Sequence, residues 1–271
     1  MGILNVTPDS FSDGGCHSGL ADALAHARGM IAQGAEIIDI GGESTRPGSL
    51  AVSAVEEIER AIPAIAALRA EWDGLISIDT SKAAVAAEAL AAGADIVNDV
   101  SGLRADPAMA GVCAESGCGV VIMHMQGEPR TMQSAPSYGD VVAEVMAFFQ
   151  ERQDTLENAD IDPEAMCFDP GIGFGKNLEH NLTLLNALDR IAPQGRPLLL
   201  GISRKSFIGK LLATDAMELR DWPTVALTAR AREQGVMLHR VHEVLPNVHA
   251  LRMTEAILGA GKVAIMRSIP S

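Results

Sequence analysis

The chain has 271 residues, 48% of them hydrophobic, and its 35 acidic against 21 basic residues give a formal net charge of −14. Phosphate backbones and anionic membranes need a basic surface, so this composition argues against a general nucleic-acid-binding or membrane-binding protein. The first residues have neither the basic nor the apolar region of an export signal, and no uncharged apolar stretch could span a bilayer. The four cysteines form no CxxC pair, which favours reduced thiols, and we expect a cytoplasmic protein that acts on small molecules.

Eight short apolar runs alternate with alanine-rich segments of helical periodicity along the chain. The runs predict strands at 2–6, 36–40, 75–79, 95–98, 119–123, 166–169, 198–202 and 237–241. The segments between them predict helices at 20–33, 53–71, 81–92, 106–117, 139–158, 178–189, 222–234 and 246–258. Strict alternation favours parallel strands joined by crossover helices, because such strands are buried on both faces. We therefore expect a single domain over 1–271, an eight-stranded parallel (β/α)8 TIM barrel, with a doubly wound open sheet as the alternative.

The predicted strands lead to polar residues at the points where barrel strands would reach the mouth. These residues are Asn5, Glu43, Asp79, Asn98, His124, Asp169, Lys205, Arg240 and His242. The carboxyl ends of all eight strands meet at one face of a barrel, so we expect one shared active site there. An acidic chain that binds an anionic substrate needs a local cluster of cations, for which the candidates are Arg204, Lys205, Arg240 and His242.

The segments after the first two predicted strands, TPDSFSDGGCHSG and GGESTRPGSL, are long and rich in Gly, Ser, Thr and Pro. Such loops are hydrophilic and mobile, and both would leave the catalytic face of the barrel. We expect them to close over a ligand. The alternative is that they only connect a strand to a helix.

Asp79 and Asp169 follow the third and sixth predicted strands, so both should face the mouth. Paired carboxylates suit acid–base work, stabilisation of a developing cation or recognition of a heterocycle rich in N–H donors. The alternative is that each caps the helix that follows, since Thr80, Ser81 and Lys82 open one. Similarly, Asp106 and Pro107 fit an N-cap followed by proline at the first helical position.

Two further segments are glycine-rich or hydroxyl-rich. DPGIGFGK, residues 169–176, lets the backbone approach a ligand closely, but Lys176 breaks the G-x-G-x-x-G pattern and no Ser or Thr follows it as a P-loop requires. SRKSFIG, residues 203–209, follows the seventh predicted strand, where barrels of this type often bind phosphate. It lacks the last glycine of a G-x-S-x-G elbow, so a serine nucleophile is not expected.

Arg240 and His242 lie two residues apart on the last predicted strand and therefore share a face. A cation pair aimed into the mouth suits a diphosphate. The alternative is an ion pair with Glu243, which should face the other way together with His239, expected to be packed and hydrogen-bonded. A magnesium ion could be held by one protein oxygen and substrate phosphates, for which Asn5 is the best ligand.

With these motifs in place, the chain resembles the dihydropteroate synthase family of pterin-binding barrels. The matching stretches run in the family's order from residue 1 to 244: MGILNVTPDSFSDGG, DIGGESTRPG, SIDTSK, AGADIVNDVSG, MHMQGEPRTMQ, DPGIGFGKNLEHN, GISRKSFIG and RVHEV. The resemblance implies condensation of 6-hydroxymethyl-7,8-dihydropterin diphosphate with p-aminobenzoate to give 7,8-dihydropteroate and diphosphate. It also implies a homodimer formed through helices near the C-terminal end.

The resemblance implies a role for each matching residue. Pterin-binding residues would be Asp79, Asn98, Met123, Asp169, Phe174, Gly201 and Lys205. Diphosphate-binding residues would be Asn5, Thr45, Arg46, Arg240 and His242, with Asn5 also binding Mg²⁺. Residues positioning p-aminobenzoate would be Thr45, Pro47, Phe174, Lys205 and Ser206. The catalytic residues would be Asp79, Asp169 and Lys205.

Two other functions are compatible with a barrel of this kind. A pterin-dependent corrinoid methyltransferase would share the barrel and the carboxylates but would lack the STRPG loop and SRKSF. A noncatalytic paralogue would bind a pterin or a partner protein, although every polar strand end is intact here. Diphosphate release that depends on both substrates would separate these from the synthase.

Overall fold

The computed structural model describes residues 1–7, 15–44, 51–127 and 131–260, with residues 15–18 described by their backbone alone. The strands are β1 (Gly2–Asn5), β2 (Ile37–Gly41), β3 (Leu75–Asp79), β4 (Ile96–Asp99), β5 (Gly119–Met123), β6 (Met166–Asp169), β7 (Leu199–Leu200) and β8 (Leu238–His239). The helices are α1 (Gly15–Ala32), α2 (Ala54–Arg69), α3 (Ala83–Ala91), α4 (Met109–Ser116), α5 (Val141–Glu157), α6 (Leu178–Leu185), α7 (Ser206–Leu212), α8 (Asp221–Glu233) and α9 (Val244–Leu258). No helix within these ranges is long and apolar enough to cross a membrane.

The strands form a closed parallel barrel in chain order. β1 to β6 pair consecutively, β7 pairs with β8, and every pairing is parallel. A parallel bridge between Phe168 and Leu198 joins β6 to the start of β7, and one between Gly2 and Val241 joins the end of β8 to β1. An open doubly wound sheet has two free edges, so these two bridges exclude it. The predicted (β/α)8 barrel is confirmed.

Side chains alternate along each strand, so one set faces the helices and the other faces the barrel interior. The helix-facing set forms the main apolar core, to which β2 and β3 contribute Ile38, Ile40, Ile76 and Ile78. The interior near the amino ends of the strands is filled by a second cluster that contains Val121, Cys167 and Leu199. Burial on both faces explains why the strands are apolar throughout.

The predicted elements agree with the structure to within about three residues at each end, except that α1 begins at Gly15 and not at 20, and α6 ends at Leu185 and not at 189. The largest difference lies in the part of the chain that contains β7 and β8. β7 and β8 cover two residues each, whereas the sequence predicts five in each place. The chain from 206 to 212 forms α7, a helix that the sequence analysis missed. The segment is short, has no side-chain cap, and begins with cationic and hydroxyl-bearing residues. Its sequence therefore favours a loop. Two helices, α7 and α8, therefore follow β7.

Asp106 does not cap the helix predicted to follow it. α4 begins at Met109, and its N-cap residue is Ala108 without a side-chain hydrogen bond. Asp106 Oδ2 instead accepts from Ala83 N, the first residue of α3, at 2.8 Å, while Oδ1 accepts from Ala108 N at 3.0 Å. The carboxylate thus caps α3 from the next βα loop. This prediction failed because a cap can come from a residue distant in sequence.

Candidate active site

The polar residues at the carboxyl ends of the strands converge on one mouth. Asp79 at the end of β3 lies opposite Asn98 on β4, and Met123 on β5 lies opposite Asp169 on β6. Arg240, which follows β8, reaches across the interior and donates from Nη2 to Asp79 Oδ2 at 2.6 Å. Burial raises the pKa of Asp169, and Asp169 lies close enough to Lys205 and Arg240 for their charges to oppose this larger effect.

Asp79 is buried, and only one of its two carboxylate oxygens is paired with a described residue. Oδ2 pairs with Arg240, whereas Oδ1 has no hydrogen-bond partner among the described residues. Burial raises the pKa of Asp79 to about 7; Arg240 opposes the rise and Asp39 adds to it. The first amide of α3 is capped by Asp106 instead. The alternative of Asp79 as a helix cap is therefore wrong, and Oδ1 is a buried acceptor without a hydrogen bond from the described residues.

Asp169 is fixed by the backbone of the loop that follows it. Its Oδ1 accepts from Gly171 N at 2.7 Å, and burial raises its pKa, while that hydrogen bond and then Lys205 oppose the rise. Its Oδ2 lies 3.5 Å from the position a Cβ would take at Gly201, after β7. Because Gly201 has no side chain, the space beside the Asp169 carboxylate stays open.

The glycine-rich loop after β6 packs directly on the backbone that follows β5. A Cβ at Gly171, where φ is 65°, would lie 1.9 Å from His124 O, and one at Gly175 would lie 2.3 Å from Gln126 O. No side chain fits either place, which explains two of the glycines. The glycines were expected to allow close approach of a ligand; at these two positions they allow close approach of two loops.

Lys176 ties these two loops together and was missed as a site residue. Its side chain is only 2% exposed, and Nζ donates to His124 O at 3.2 Å, Gly171 O at 3.1 Å and Phe174 O at 3.0 Å. His124 Nδ1 lies 2.9 Å from the same nitrogen. Burial lowers the pKa of Lys176 to about 7, and burial followed by the charge of Lys176 lowers the pKa of His124 to about 3. His124 is thus a neutral structural acceptor at neutral pH, and not a group at the mouth's reactive surface.

An apolar wall lies beside the carboxylates. Met123, Met125, Met132 and Phe174 form a separate buried cluster at the carboxyl ends of the strands. Lys205 Nζ lies 3.9 Å from the centroid of the Phe174 ring, a cation–π contact. Lys205 precedes α7, and Ser206 is its first, exposed residue. A flat ligand would find acceptors, an aromatic face and a cation around one space.

The predicted cation cluster loses one of its four members. Arg204 donates from Nε to Asp221 Oδ1 at 2.7 Å and from Nη2 to Glu243 Oε1 at 2.6 Å, so its charge is used outside the mouth. Glu243 pairs with Arg204 and not with Arg240, as its outward-facing position predicts. His242 Nδ1 lies 2.9 Å from Ser203 Oγ, which fixes the ring beside the strand end.

His239 differs from its prediction in one respect. It is buried on the helix-facing side of β8, as predicted, but neither ring nitrogen has a hydrogen-bond partner among the described residues. Burial lowers its pKa to about 4. The ring packs as a neutral side chain beside the Val236 backbone, without a hydrogen bond of ordinary distance and angle.

Asn5 lies half-buried at the end of β1, opposite Gly41 in the strand register. Asn5 Oδ1 and Asp79 Oδ2 each lie 3.8 Å from the position that a Cβ would occupy at Gly41. The residues described here contain no group of three His, Cys, Asp or Glu side chains able to hold a metal.

The second predicted loop is anchored at both described ends by one ion cluster. Glu43 Oε1 accepts from Val52 N at 3.2 Å, and Glu43 also pairs with Lys82. Lys82 Nζ lies 2.5 Å from Glu57 Oε2 on α2, a fully buried carboxylate. The three residues predicted to act from this loop, Thr45, Arg46 and Pro47, lie outside the described residues.

Asp39 is the other residue that the sequence analysis missed. It is fully buried within β2, and Arg240 Nε donates to its Oδ2 at 2.5 Å. A carboxylate inside an apolar strand is rare unless it is paired, and Asp39 is two residues before the end of its strand. Those two facts could have placed it on the interior face below the mouth.

Comparison with known proteins agrees with the geometry. Residues 1–242 match the model of the family described as pterin binding enzyme. The dihydropteroate synthase of Escherichia coli K12 is 50% identical over 260 residues, covering 96% of this chain and 92% of that protein. A Xanthomonas albilineans dihydropteroate synthase solved with 4-aminobenzoic acid is 45% identical, with a TM-score of 0.89 over 95% of this chain and 92% of that one.

A second Xanthomonas albilineans structure, of dihydropteroate synthase in complex with 7,8-dihydropteroate, is 43% identical, with a TM-score of 0.86 over 95% of this chain and 92% of that one. These similarities extend over the whole barrel and not over isolated motifs. The chain belongs to the pterin-binding enzyme family and, within it, to the dihydropteroate synthases, which are transferases.

Proposed function

We propose that the mouth described above condenses 6-hydroxymethyl-7,8-dihydropterin diphosphate with p-aminobenzoate, releasing 7,8-dihydropteroate and diphosphate. The observation that carries this proposal is the placement of Asp79, Asn98 and Asp169 at the strand ends of one mouth, with Lys205 over the ring of Phe174. Carboxylate and amide oxygens match a heterocycle edge that carries N–H donors. The relatives solved with 4-aminobenzoic acid and with 7,8-dihydropteroate supply the substrate and product chemistry.

The pterin would lie between the apolar wall and the strand ends. Asp169 Oδ2, Asn98 and Lys205 would hydrogen-bond its edge, and hydrogen bonds to a carboxylate are roughly twice as strong as neutral ones. Met123 and Phe174 would cover the ring, and Gly201 would give it room beside Asp169. Asp79 and Asp169 are both buried, and a buried carboxylate oxygen without a hydrogen bond raises the free energy of the protein. A ligand with several hydrogen-bond donors is therefore favoured.

The diphosphate would lie toward β1 and β8. Arg240, His242 and Asn5 supply donors or a metal-binding oxygen from the described strand ends, and Thr45 and Arg46 would approach from the second loop. Asn5 provides one amide oxygen at the rim, which suits a Mg²⁺ ion completed by phosphate oxygens and water. When bound, Mg²⁺ supplies neutralisation of the charge that develops on the leaving diphosphate.

p-Aminobenzoate would bind at the outer edge of the mouth. Lys205 and the exposed Ser206 lie at the start of α7, where a carboxylate can reach a cation and a hydroxyl. The ring would contact Phe174, and Thr45 and Pro47 would complete the site from the second loop. This arrangement directs the amine toward the methylene carbon of the pterin.

The reaction proceeds by loss of diphosphate before attack. The C–O bond of the pterin methylene breaks and its electron pair leaves on the diphosphate, so the methylene and ring become cationic. The ionised carboxylate of Asp79 would lie beside this charge, and preorganised counter-charges of this kind lower barriers most. The amine lone pair then forms the C–N bond, and the nitrogen loses a proton to water.

A diphosphate-release assay with each substrate omitted in turn tests the proposal. We expect release only when both substrates are present, with a product of the mass of 7,8-dihydropteroate. Release without p-aminobenzoate would indicate a hydrolase, and methyl transfer without diphosphate release would indicate the corrinoid methyltransferase. Pterin binding with no turnover would indicate a noncatalytic paralogue.

The oligomeric state belongs to the same proposal. Met253 and Ile257 lie four residues apart on one face of α9, and each is 66% exposed. An apolar stripe of this kind near the C-terminal end fits the homodimer interface that the family resemblance implies. Light scattering should give a dimer, and Ile257→Glu should shift it to a monomer, whereas Leu182→Glu on α6 should not. A monomeric parent chain would contradict this part of the proposal.

The three described cysteines, Cys113, Cys118 and Cys167, are free and buried. Reduced thiols fit the cytoplasmic location expected from the sequence. Fractionation of cells that produce the chain should place it with the cytoplasmic enzymes.

A further inference from the structure

Asp39 occupies a level of the barrel below the mouth. It shares the interior face of β2 with Gly41, and its register partner on β3 is Ser77. Both Asp39 and Ser77 are fully buried, so neither can touch a ligand at the rim directly. Their contacts differ: Ser77 Oγ has no hydrogen-bond partner among the described residues, whereas Asp39 binds two groups that do reach the rim.

The first of these groups is the guanidinium of Arg240. Nε donates to Asp39 Oδ2 at 2.5 Å while Nη2 donates to Asp79 Oδ2 at 2.6 Å. Two carboxylates bound to different nitrogens of one planar group fix its plane as well as its position. Asp39 also shares the role of counter-ion, so that Asp79 is not the sole partner of the cation. Asp79 Oδ1 is buried, and no residue in the described part of the chain hydrogen-bonds it.

The second group is the side-chain amide of Asn98. Nδ2 lies 3.4 Å from Asp39 Oδ1 and 3.3 Å from Oδ2. An ionised carboxylate only accepts hydrogen bonds, so the –NH₂ end of Asn98 must face Asp39. The carbonyl oxygen of Asn98 is then the end that can face a ligand. The orientation of the amide therefore follows from the chemistry of its neighbour.

We propose that Asp39 is a positioning and specificity-determining residue for the pterin: it makes Asn98 a hydrogen-bond acceptor and fixes the plane of Arg240. The mouth thereby presents acceptors from Asn98, Asp79 and Asp169 toward one ring edge. The ligand class selected is a heterocycle with several N–H donors on that edge. This inference rests on the proposed function, because it assumes that the mouth binds a pterin.

Asp39→Asn tests the inference with nearly the same side-chain volume. Arg240 Nε only donates, so the new amide at position 39 must turn its oxygen toward Arg240 and its –NH₂ toward Asn98. Two –NH₂ groups cannot share this contact, and the amide of Asn98 turns over, presenting a donor to the ligand. We expect the dissociation constant of 6-hydroxymethylpterin, measured by calorimetry, to rise about tenfold or more, because a buried donor meets a donor.

Ser77→Ala is the matched control, since it changes a buried side chain on the same level of the barrel whose hydroxyl bonds neither Arg240 nor Asn98. It should leave pterin affinity within about twofold of the parent chain. The KM of p-aminobenzoate should stay within the same range in Asp39→Asn. A general loosening of the barrel would instead raise both constants together.

A second pair of variants keeps the inference testable even if Asp39→Asn does not fold. Asn98→Asp alone places two carboxylates in contact and should weaken pterin binding. Adding Asp39→Asn should restore it by about tenfold relative to Asn98→Asp. In the double variant the new amide at position 39 donates to the new carboxylate at position 98, whose other oxygen faces the ligand.

Three outcomes would overturn the inference. In the first, Asp39→Asn binds the pterin as Ser77→Ala does; in the second, the double variant binds no better than Asn98→Asp. In both, a parent chain that still releases diphosphate leaves the proposed function intact. In the third, the parent chain neither binds 6-hydroxymethylpterin nor releases diphosphate, and the proposed function fails together with the inference.

Discussion

The two sides of the mouth hold their carboxylates in different ways. On the β2–β3 side Asp79 is bound by a cation, Arg240, which is shared with a second carboxylate, Asp39. On the β5–β6 side Asp169 is bound by a backbone amide within a loop that Lys176 clamps through neutral acceptors. The ionic side balances two buried carboxylates against one guanidinium. The backbone-bound side fixes the position of the Asp169 carboxylate. We therefore expect the two sides of the mouth to respond differently to mutation.

Asp79→Asn should have the largest effect, and it should fall on turnover. The variant keeps the shape of the side chain but removes the negative charge beside the developing cation. Loss of one preorganised electrostatic partner typically lowers kcat by about 10²–10³. We expect the KM of the pterin diphosphate to change much less, as measured by steady-state kinetics.

Asp73→Asn, an exposed change in the loop before β3, is the control and should leave kcat unchanged. Equal losses in kcat and in pterin affinity would contradict the assignment of Asp79 to the transition state, because they would indicate a residue that binds the ground state equally well.

Lys176→Met should have the next largest effect, and it should fall on stability. The change removes the ammonium shared by three carbonyl oxygens and His124 Nδ1, leaving buried acceptors unmet at the joint of two loops. A single unmet buried group costs about 1–3 kcal/mol, so the free energy of unfolding should fall by about 3 kcal/mol or more. Urea denaturation measures it.

Lys210→Met on α7 removes an exposed lysine and should change the free energy of unfolding by less than about 0.5 kcal/mol. If Lys176→Met were as stable as Lys210→Met, the neutral acceptors would not hold the loop. The contrast between an ionic side and a backbone-bound side would then be wrong.

The barrel could be predicted from the sequence because its periodicity is a local property. Parallel strands buried on both faces must be apolar throughout, and polar residues at their ends must meet at one mouth, as Asp79, Asn98 and Asp169 do. The predictions that failed concern which side chain pairs with which across the fold. Arg204 and Arg240 look alike in the sequence, yet one faces Asp221 and Glu243 and the other faces Asp39 and Asp79.

The role of Lys176 could not be predicted for a related reason. In the sequence it is only the residue that breaks a glycine pattern, because its four partners come from segments about 50 residues apart along the chain. Asp39 gave a stronger signal, since an unpaired carboxylate cannot remain in a buried strand. Its partner Arg240, however, lies 201 residues away, and only closure of the barrel brings them together.

The pH dependence separates catalysis from stability on the ionic side. Burial raises the pKa of Asp79 to about 7, and the ionised form is the one that stabilises a cation, so kcat/KM should rise as the pH increases through about 7. Stability should move the opposite way. The folded state binds this proton more tightly than the unfolded state, so the stability from this group is full below the unfolded pKa and is lost as the pH rises toward 7.

Profiles of kcat/KM and of the unfolding midpoint between about pH 5 and pH 9 check both statements. In Asp79→Asn the acid limb of kcat/KM near pH 7 should disappear while that of any substrate group remains. An unchanged limb in the variant would assign it to the substrate.

Gly201→Ala should have the smallest effect and tests how closely the backbone-bound side is fitted. The added Cβ would lie 3.5 Å from Asp169 Oδ2, an ordinary van der Waals contact, and φ at Gly201 is not in the left-handed region. The free energy of unfolding should therefore change by less than about 1 kcal/mol. The methyl group takes space beside the carboxylate, however, so the KM of the pterin diphosphate should rise by roughly threefold to tenfold while that of p-aminobenzoate stays constant.

Gly111→Ala on α4 is the control, because a Cβ there meets nothing within 4 Å; it should stabilise the chain by roughly 0.5–1 kcal/mol and leave both KM values unchanged. If Gly201→Ala changed neither KM, the ring edge would not approach β7, and Asp169 would have to bind the pterin from the β5 side of the mouth alone. The backbone-bound side would then position its carboxylate for a ligand that lies nearer Met123 than Gly201.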